Sequence, residues 1–169
     1  MGKLKKWLET TVANRAIPLL IFVTIIVIVL YNFSFLFVIL SYFPTYLDGP
    51  NNVGKIPSDF SIVNALEILG YVAVEEWLFR LMPFYIMYYY RDHLTPLLVV
   101  LTLGIVIYFG YIHGGVRYIP IQGASALALT VVFMKTGFWE GKLVKAFCCS
   151  TACHFLWNIS VVLLVKTFG

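Results

Sequence analysis

Glu75, Glu76 and Arg80 stand inside a stretch of chain that otherwise reads as membrane-embedded helix. A charged side chain at the bilayer centre costs about 2.5 to 3.5 kcal/mol on insertion scales, so three together imply partners or a water-filled cavity. Glu76 and Arg80 are four residues apart, share a helix face and can pair, whereas Glu75 points ~100° round from Glu76. Such a pair neutralises one carboxylate and leaves the other for general acid or base chemistry, its proton affinity set by burial and by the pair. Read without chemistry, the same trio is an ion-pair staple between helices.

Two histidines lie in or at the end of apolar helices, and each has a helical neighbour with a chemical use. His113 follows Phe109 by one turn, and His154 precedes Asn158 by one turn. His154 and Asn158 share a face, so the amide can orient the imidazole or join it in holding an oxyanion. A single membrane histidine is more commonly a helix–helix hydrogen bond. Two of them beside a glutamate cluster shift the reading toward a site. His93, in Arg91-Asp92-His93, reads as part of a solvated turn, Glu67 as a water-exposed group near a helix start, and Glu140 as part of a charged loop.

These residues need helices to position them. A first span is expected from about Ala16 to Phe43, opening near Pro18 and ending before Pro44. It exceeds the ~20 residues needed to cross, which predicts tilt. A turn-rich loop, Pro44 to Asp59, follows, and Ser58 or Asp59 is the expected cap of a second helix from about Phe60 to Tyr90 that carries the Glu-Glu-Arg cluster. Pro83 cannot donate to the Phe79 carbonyl, which predicts a kink just beyond the cluster or a helix end near the Tyr88-Tyr89-Tyr90 belt. Further spans are expected over about Leu94 to Ile112, Tyr118 to Met134 and Ala146 to Val165. The fold class is therefore all-α, a polytopic transmembrane bundle of about five spans, with residues 1–59 as N-terminal basic segment, first helix and loop, and 60–169 as the core.

Composition agrees with a membrane solvent. Of 169 residues 61% are hydrophobic and 12% charged, with mean hydropathy +0.90, far from soluble domains. The formal charge of +4 comes from basic residues in short flanks beside apolar runs, which anchor and orient spans and give nucleic-acid binding little support. Lys3, Lys5, Lys6 and Arg15 ahead of the first apolar run, with no small-residue cleavage site after it, read as an uncleaved first span. With loops on alternate sides and the N-terminus inside, the cytoplasmic side holds eight Lys and Arg, at positions 3, 5, 6, 15, 91, 135, 142 and 145, against Lys55, Arg117 and Lys166 outside. That favours a cytoplasmic N-terminus. Cys148, Cys149 and Cys153 fall at helical spacing and read as helix-lining residues, not a disulfide framework.

In order, Glu75-Glu76-x-x-x-Arg80, Phe109-x-x-x-His113 and His154-x-x-x-Asn158 resemble the motifs of the CAAX protease and bacteriocin-processing family of intramembrane proteases, also called type II CAAX prenyl proteases. Lys135-Thr136-Gly137-Phe138-Trp139 is similar to the turn that precedes the third motif there. The resemblance covers roughly residues 60 to 165; the interval from Trp139 to His154 is longer than the family's, and a single span precedes the core. It implies a glutamate-dependent peptidase without a cofactor, in a prokaryotic cytoplasmic membrane. Glu75 would activate water, His113 share in positioning it, His154 and Asn158 receive the oxyanion, and Glu76 with Arg80 hold the cluster. The implied partners are the lipid bilayer and a peptide or protein substrate reaching the site from the membrane, lipidated or ending in a C-terminal sorting helix.

Rival readings start from the same residues. Glu75, His113 and His154 are a ligand set suited to catalytic zinc, although the HExxH signature is absent. A cysteine peptidase would use Cys148, Cys149 or Cys153 with a histidine, yet Cys153 and His154, adjacent on a helix, diverge by ~100° and would not face one another. A transporter would use the charges as an ion path, though no internal repeat is present. A non-catalytic immunity or assembly protein would keep the scaffold alone. A geometric test is also set by the sequence: counted from Phe60, Glu75 lies ~22 Å along its helix, whereas His113 falls at the outer end of the next span. An active site requires Glu75, His113, His154 and Asn158 to converge all the same.

Overall fold

The structure, a computed structural model, describes residues 10–42, 61–89 and 95–168. The Pro44 to Asp59 loop with its expected caps, the Arg91-Asp92-His93 turn and Lys3, Lys5 and Lys6 lie outside these residues.

All regular elements among the described residues are helical, which makes the fold an all-α bundle. Helix α1, Ile17–Tyr42, opens from a 3-10 turn Asn14–Ala16. The second rod runs as α2 Ile62–Glu76, a π turn Trp77–Leu81 and α3 Met82–Tyr89. Helix α4, Thr95–Ile112, leads through a 3-10 turn Val116–Tyr118 and a π turn Ile119–Gly123 into α5, Ala124–Thr136. A 3-10 turn Phe138–Glu140 then joins α5 to α6, Leu143–Phe168. The stretches Asn14–Tyr42, Val116–Glu140 and Leu143–Leu163 are long and apolar enough to cross a membrane, with Pro96–Ile112 a shorter apolar helix. The rod 62–89 differs because its charges interrupt the apolar run.

Prolines set where these helices begin. Pro18, Pro83, Pro96 and Pro120 all fall at the second residue of an element, the position helices tolerate best, although Pro83 sits within a continuing rod. At Pro83 the expected break takes the form of a π turn: the Met82 N–H bonds back to the Trp77 carbonyl, and the rod continues to Tyr89. The second helix starts at Ile62, and its cap is Ser61, whose side chain accepts from the Asn64 N–H at 3.2 Å. Helix α6 outruns the expected 146–165 because Gly141, at φ +73°, sets its boundary instead of hydropathy.

Helix α5 sits at the centre. Ser125, Ala126, Leu129, Thr130, Val132, Phe133, Met134, Lys135 and Thr136 are all buried, whereas α1 buries only Ile28 and Asn32 and shows lipid its other sides. Asn32 fixes α1 to α5 through a 3.3 Å bond from its Nδ2 to Ser125 Oγ. Where helices must approach closely the chain uses glycine. A Cβ on Gly110 would stand 2.5 Å from Ile119 Cα, and one on Gly123 would stand 2.8 Å from the Val106 carbonyl, so α4 and the start of the α5 rod touch backbone to backbone. Cys153 packs with Leu129 and Val132, as a small apolar residue does.

At one end, Phe84, Phe133 and Phe138 meet with centroids 5.4 to 6.2 Å apart, joined by Ile105, Met134 and Ala146 in one buried cluster. The segment before α1 is tied to this end: the Val12 N–H donates to the Lys135 carbonyl at 2.9 Å, and Lys145 Nζ to Asn14 Oδ1 at 2.8 Å.

Gly110→Ala should destabilise the bundle by about 1 to 3 kcal/mol through overpacking. Gly104→Ala, on the same helix with nothing within 4 Å of the added carbon, should be neutral or stabilising by up to about 1 kcal/mol. Thermal unfolding in detergent compares them, and equal midpoints would refute the close crossing.

Candidate active site

The cluster is built around one carboxylate oxygen. Glu76 Oε1 accepts from Arg80 Nη1 across one helical turn and from His154 Nδ1 on α6 at 2.8 Å. Glu76 and Arg80 are fully buried, and His154 nearly so. Arg80 spends its other terminal nitrogen on the Ala126 carbonyl of α5, at 3.3 Å, and its guanidinium carbon lies 5.2 Å from the ring centre of Phe109 on α4. One ion pair thus touches the 62–89 rod, α4, α5 and α6.

Glu75, the next residue, turns out of this core as the ~100° offset requires. Its carboxylate lies between two imidazoles, with Oε1 3.4 Å from His113 Nε2 and Oε2 3.6 Å from His154 Nε2. Glu75 is 30% exposed and His113 27% exposed, so this edge of the cluster is open while its base is closed.

Both rings are oriented from behind. His113 Nδ1 lies 2.7 Å from the Phe109 carbonyl, which can only accept, so that nitrogen carries the proton. His154 Nδ1 faces the Glu76 carboxylate in the same sense. Each ring is therefore left with Nε2 turned to Glu75. Phe109 also packs its ring on His113, centroids 4.2 Å apart, and meets Phe79 edge-on at 5.3 Å.

Glu75, Glu76, Arg80, His113 and His154 are brought together. Asn158 lies one turn beyond His154 on α6, half-buried, and no hydrogen bond joins it to the glutamates or histidines. The apparent mismatch in depth disappears because the rod and α4 run antiparallel, Phe79 against Phe109 and Phe84 in one cluster with Ile105, which brings His113 level with Glu75. Glu75 lies fourteen residues before Tyr89 and His113 eighteen after Thr95, about 21 and 27 Å by helical rise. Counting from Phe60 measured from the wrong end. Glu67 is exposed, and Glu140 pairs with Lys142 at 2.7 Å in the α5–α6 turn.

Two contributors carry no sequence signal of their own type. The Ala126 carbonyl that receives Arg80 is a backbone atom, and Phe109 acts through its carbonyl and ring, foreshadowed only by its spacing from His113. Among the described residues no group of three or more His, Cys, Asp or Glu side chains is disposed to hold a metal ion.

Arg80→Met should cost about 3 to 5 kcal/mol by leaving Glu76 buried without its counter-charge. Adding Glu76→Gln, which removes that charge and keeps an acceptor for His154, should restore part of the loss. Unfolding of the single and double variants in detergent reads the coupling, and strict additivity would show that the pair does not hold the core.

No protein-family model matches the chain, and no curated protein or solved structure matches it either.

Proposed function

We propose that this chain is an intramembrane peptidase that cleaves membrane-associated peptides or proteins with water activated by Glu75. The observation that carries the reading is the Glu75 carboxylate held between two pre-oriented imidazole Nε2 atoms at the open edge of a buried ion pair. A carboxylate and two Nε2 atoms facing one another attract only through protons or a bound water, and a water there would lie in reach of all three. The ordered resemblance of the three motifs to the CAAX protease and bacteriocin-processing family supports the same reading.

In the proposed reaction Glu75 takes a proton from that water as its oxygen attacks a peptide carbonyl. His113 holds the water, a His154 imidazolium whose Nδ1–H stays on Glu76 donates its Nε2–H to the oxygen that becomes negative, and the proton taken by Glu75 passes to the leaving amine. Glu76 and Arg80 do not touch substrate; Glu76 fixes the His154 ring and Arg80 neutralises Glu76. Asn158 is assigned to the oxyanion only once substrate closes the distance to it. The protein is placed in a prokaryotic cytoplasmic membrane as a multi-pass chain with its N-terminus in the cytoplasm, and its substrate reaches the site from the bilayer.

A zinc peptidase is the second reading. Metal-bound histidines commonly commit their other ring nitrogen to a carboxylate or carbonyl, as His113 and His154 do here.

A Glu75→Gln variant used as a trap, with mass spectrometry of co-purifying peptides, should identify substrate that the native protein cleaves and the variant does not. Loss of the base should lower the rate by on the order of 10² to 10⁴-fold at unchanged protein abundance. His154→Ala should lower kcat by about 10² to 10³-fold. Undiminished cleavage by Glu75→Gln would refute the mechanism, and activity abolished by chelation and restored by zinc would select the second reading.

A further inference from the structure

We infer that the cluster takes its substrate from the extracytoplasmic half of the membrane, so that the polypeptide it acts on is exported or membrane-anchored with its scissile bond on that side. The inference rests on the proposed peptidase reading for its substrate, but not for its sidedness.

The site lies near mid-depth. Ala126 precedes the end of α5 by ten residues and His154 follows the start of α6 by eleven, about 15 and 16 Å by helical rise, against a hydrocarbon core of about 30 Å. Between the site and the end where α5 meets α6, the chain is closed. Phe84, one turn beyond Arg80, Phe133 and Phe138 are fully buried against one another with Ala146 and Ile105, and the segment before α1 is bonded across that end.

On the other side of the cluster, among the described residues, nothing comparable intervenes at α4. That helix ends at Ile112, one residue before His113, and turns through Gly114 and Gly115 into exposed Val116 and Arg117. The half-exposed members, Glu75 and His113, lie at this edge, and Tyr71, Val74 and Leu78 beside Glu75 on its rod are exposed as well. An unpartnered apolar wall next to an open carboxylate suits an apolar polypeptide segment laid along the rod.

Charge orients the two ends. Arg15, Lys135, Lys142 and Lys145 lie at the closed end, and counting loops on alternate sides along the sequence assigns Lys3, Lys5, Lys6 and Arg91 to the same side. Arg117 lies at the open end, joined in sequence by Lys55 and Lys166. Basic residues in short flanks stay in the cytoplasm, so the aromatic seal faces the cytoplasm and the open edge faces away from it. A soluble cytosolic peptide would meet the sealed end.

The test uses the full chain in membrane vesicles of both orientations, with Cys148, Cys149 and Cys153 replaced by Ala, and a membrane-impermeant maleimide. Val116→Cys, 71% exposed, should label in right-side-out vesicles, and Val144→Cys, 74% exposed at the start of α6, only in inside-out vesicles. His113→Cys and Glu75→Cys, read separately so that failure of one to insert does not decide the outcome, should follow Val116→Cys. A reversed pattern, or site cysteines that follow Val144→Cys or label from neither face, overturns the inference. Labelling needs no catalysis, so the expected sidedness together with a fully active Glu75→Gln variant would sink the peptidase reading alone.

Discussion

A single oxygen, Glu76 Oε1, holds the centre of this protein together by accepting from both Arg80 and His154. In a medium without water a carboxylate and a guanidinium are tolerated only when each satisfies the other, and breaking such a pair leaves a charge that nothing can solvate. The pair cannot drift, so whatever it touches is fixed with it. Arg80 reaches α5 through the Ala126 carbonyl and α4 through the Phe109 ring, while Glu76 reaches α6 through His154. The packing of the bundle and the orientation of the candidate site are consequences of one electrostatic requirement.

The backbone is adapted to the same end. The π turn that follows Glu76 contains Arg80 and is closed by the Met82 N–H on the Trp77 carbonyl, so the rod continues through Pro83. Gly110 and Gly123 bring α4 against the start of the α5 rod, while the Phe109 ring lies over Arg80 and the Phe109 carbonyl, one turn back on the same helix, orients His113. Helix packing without a hydrophobic driving force depends on such small-residue contacts. The site is therefore held by close backbone approach on one side and by charge pairing on the other.

The proposed function rests on the contrast between two neighbouring carboxylates. Glu76 is consumed by structure, whereas Glu75, one residue away and on another face, keeps its oxygens toward two imidazole edges and the open side. Adjacent residues on a helix diverge enough that one can be neutralised by the core while the other stays at the open edge.

Sequence alone determined the solvent, the helical class and the identity of the cluster, because hydropathy runs and costly intramembrane charges are local properties of the chain. The i, i+4 pairing of Glu76 with Arg80 and the shared faces of Phe109 with His113 were legible for the same reason: helical periodicity fixes them before any folding. What only the tertiary structure decided was depth and mutual orientation. Antiparallel packing of α4 on the 62–89 rod, Phe79 against Phe109 and Phe84 with Ile105, is announced by no periodicity and brings His113 to Glu75. Asn158 shows the converse, sharing a helix face with His154 yet making no bond to the cluster. Spacing along one helix fixes direction, but contact between helices depends on how far each has slid past the other.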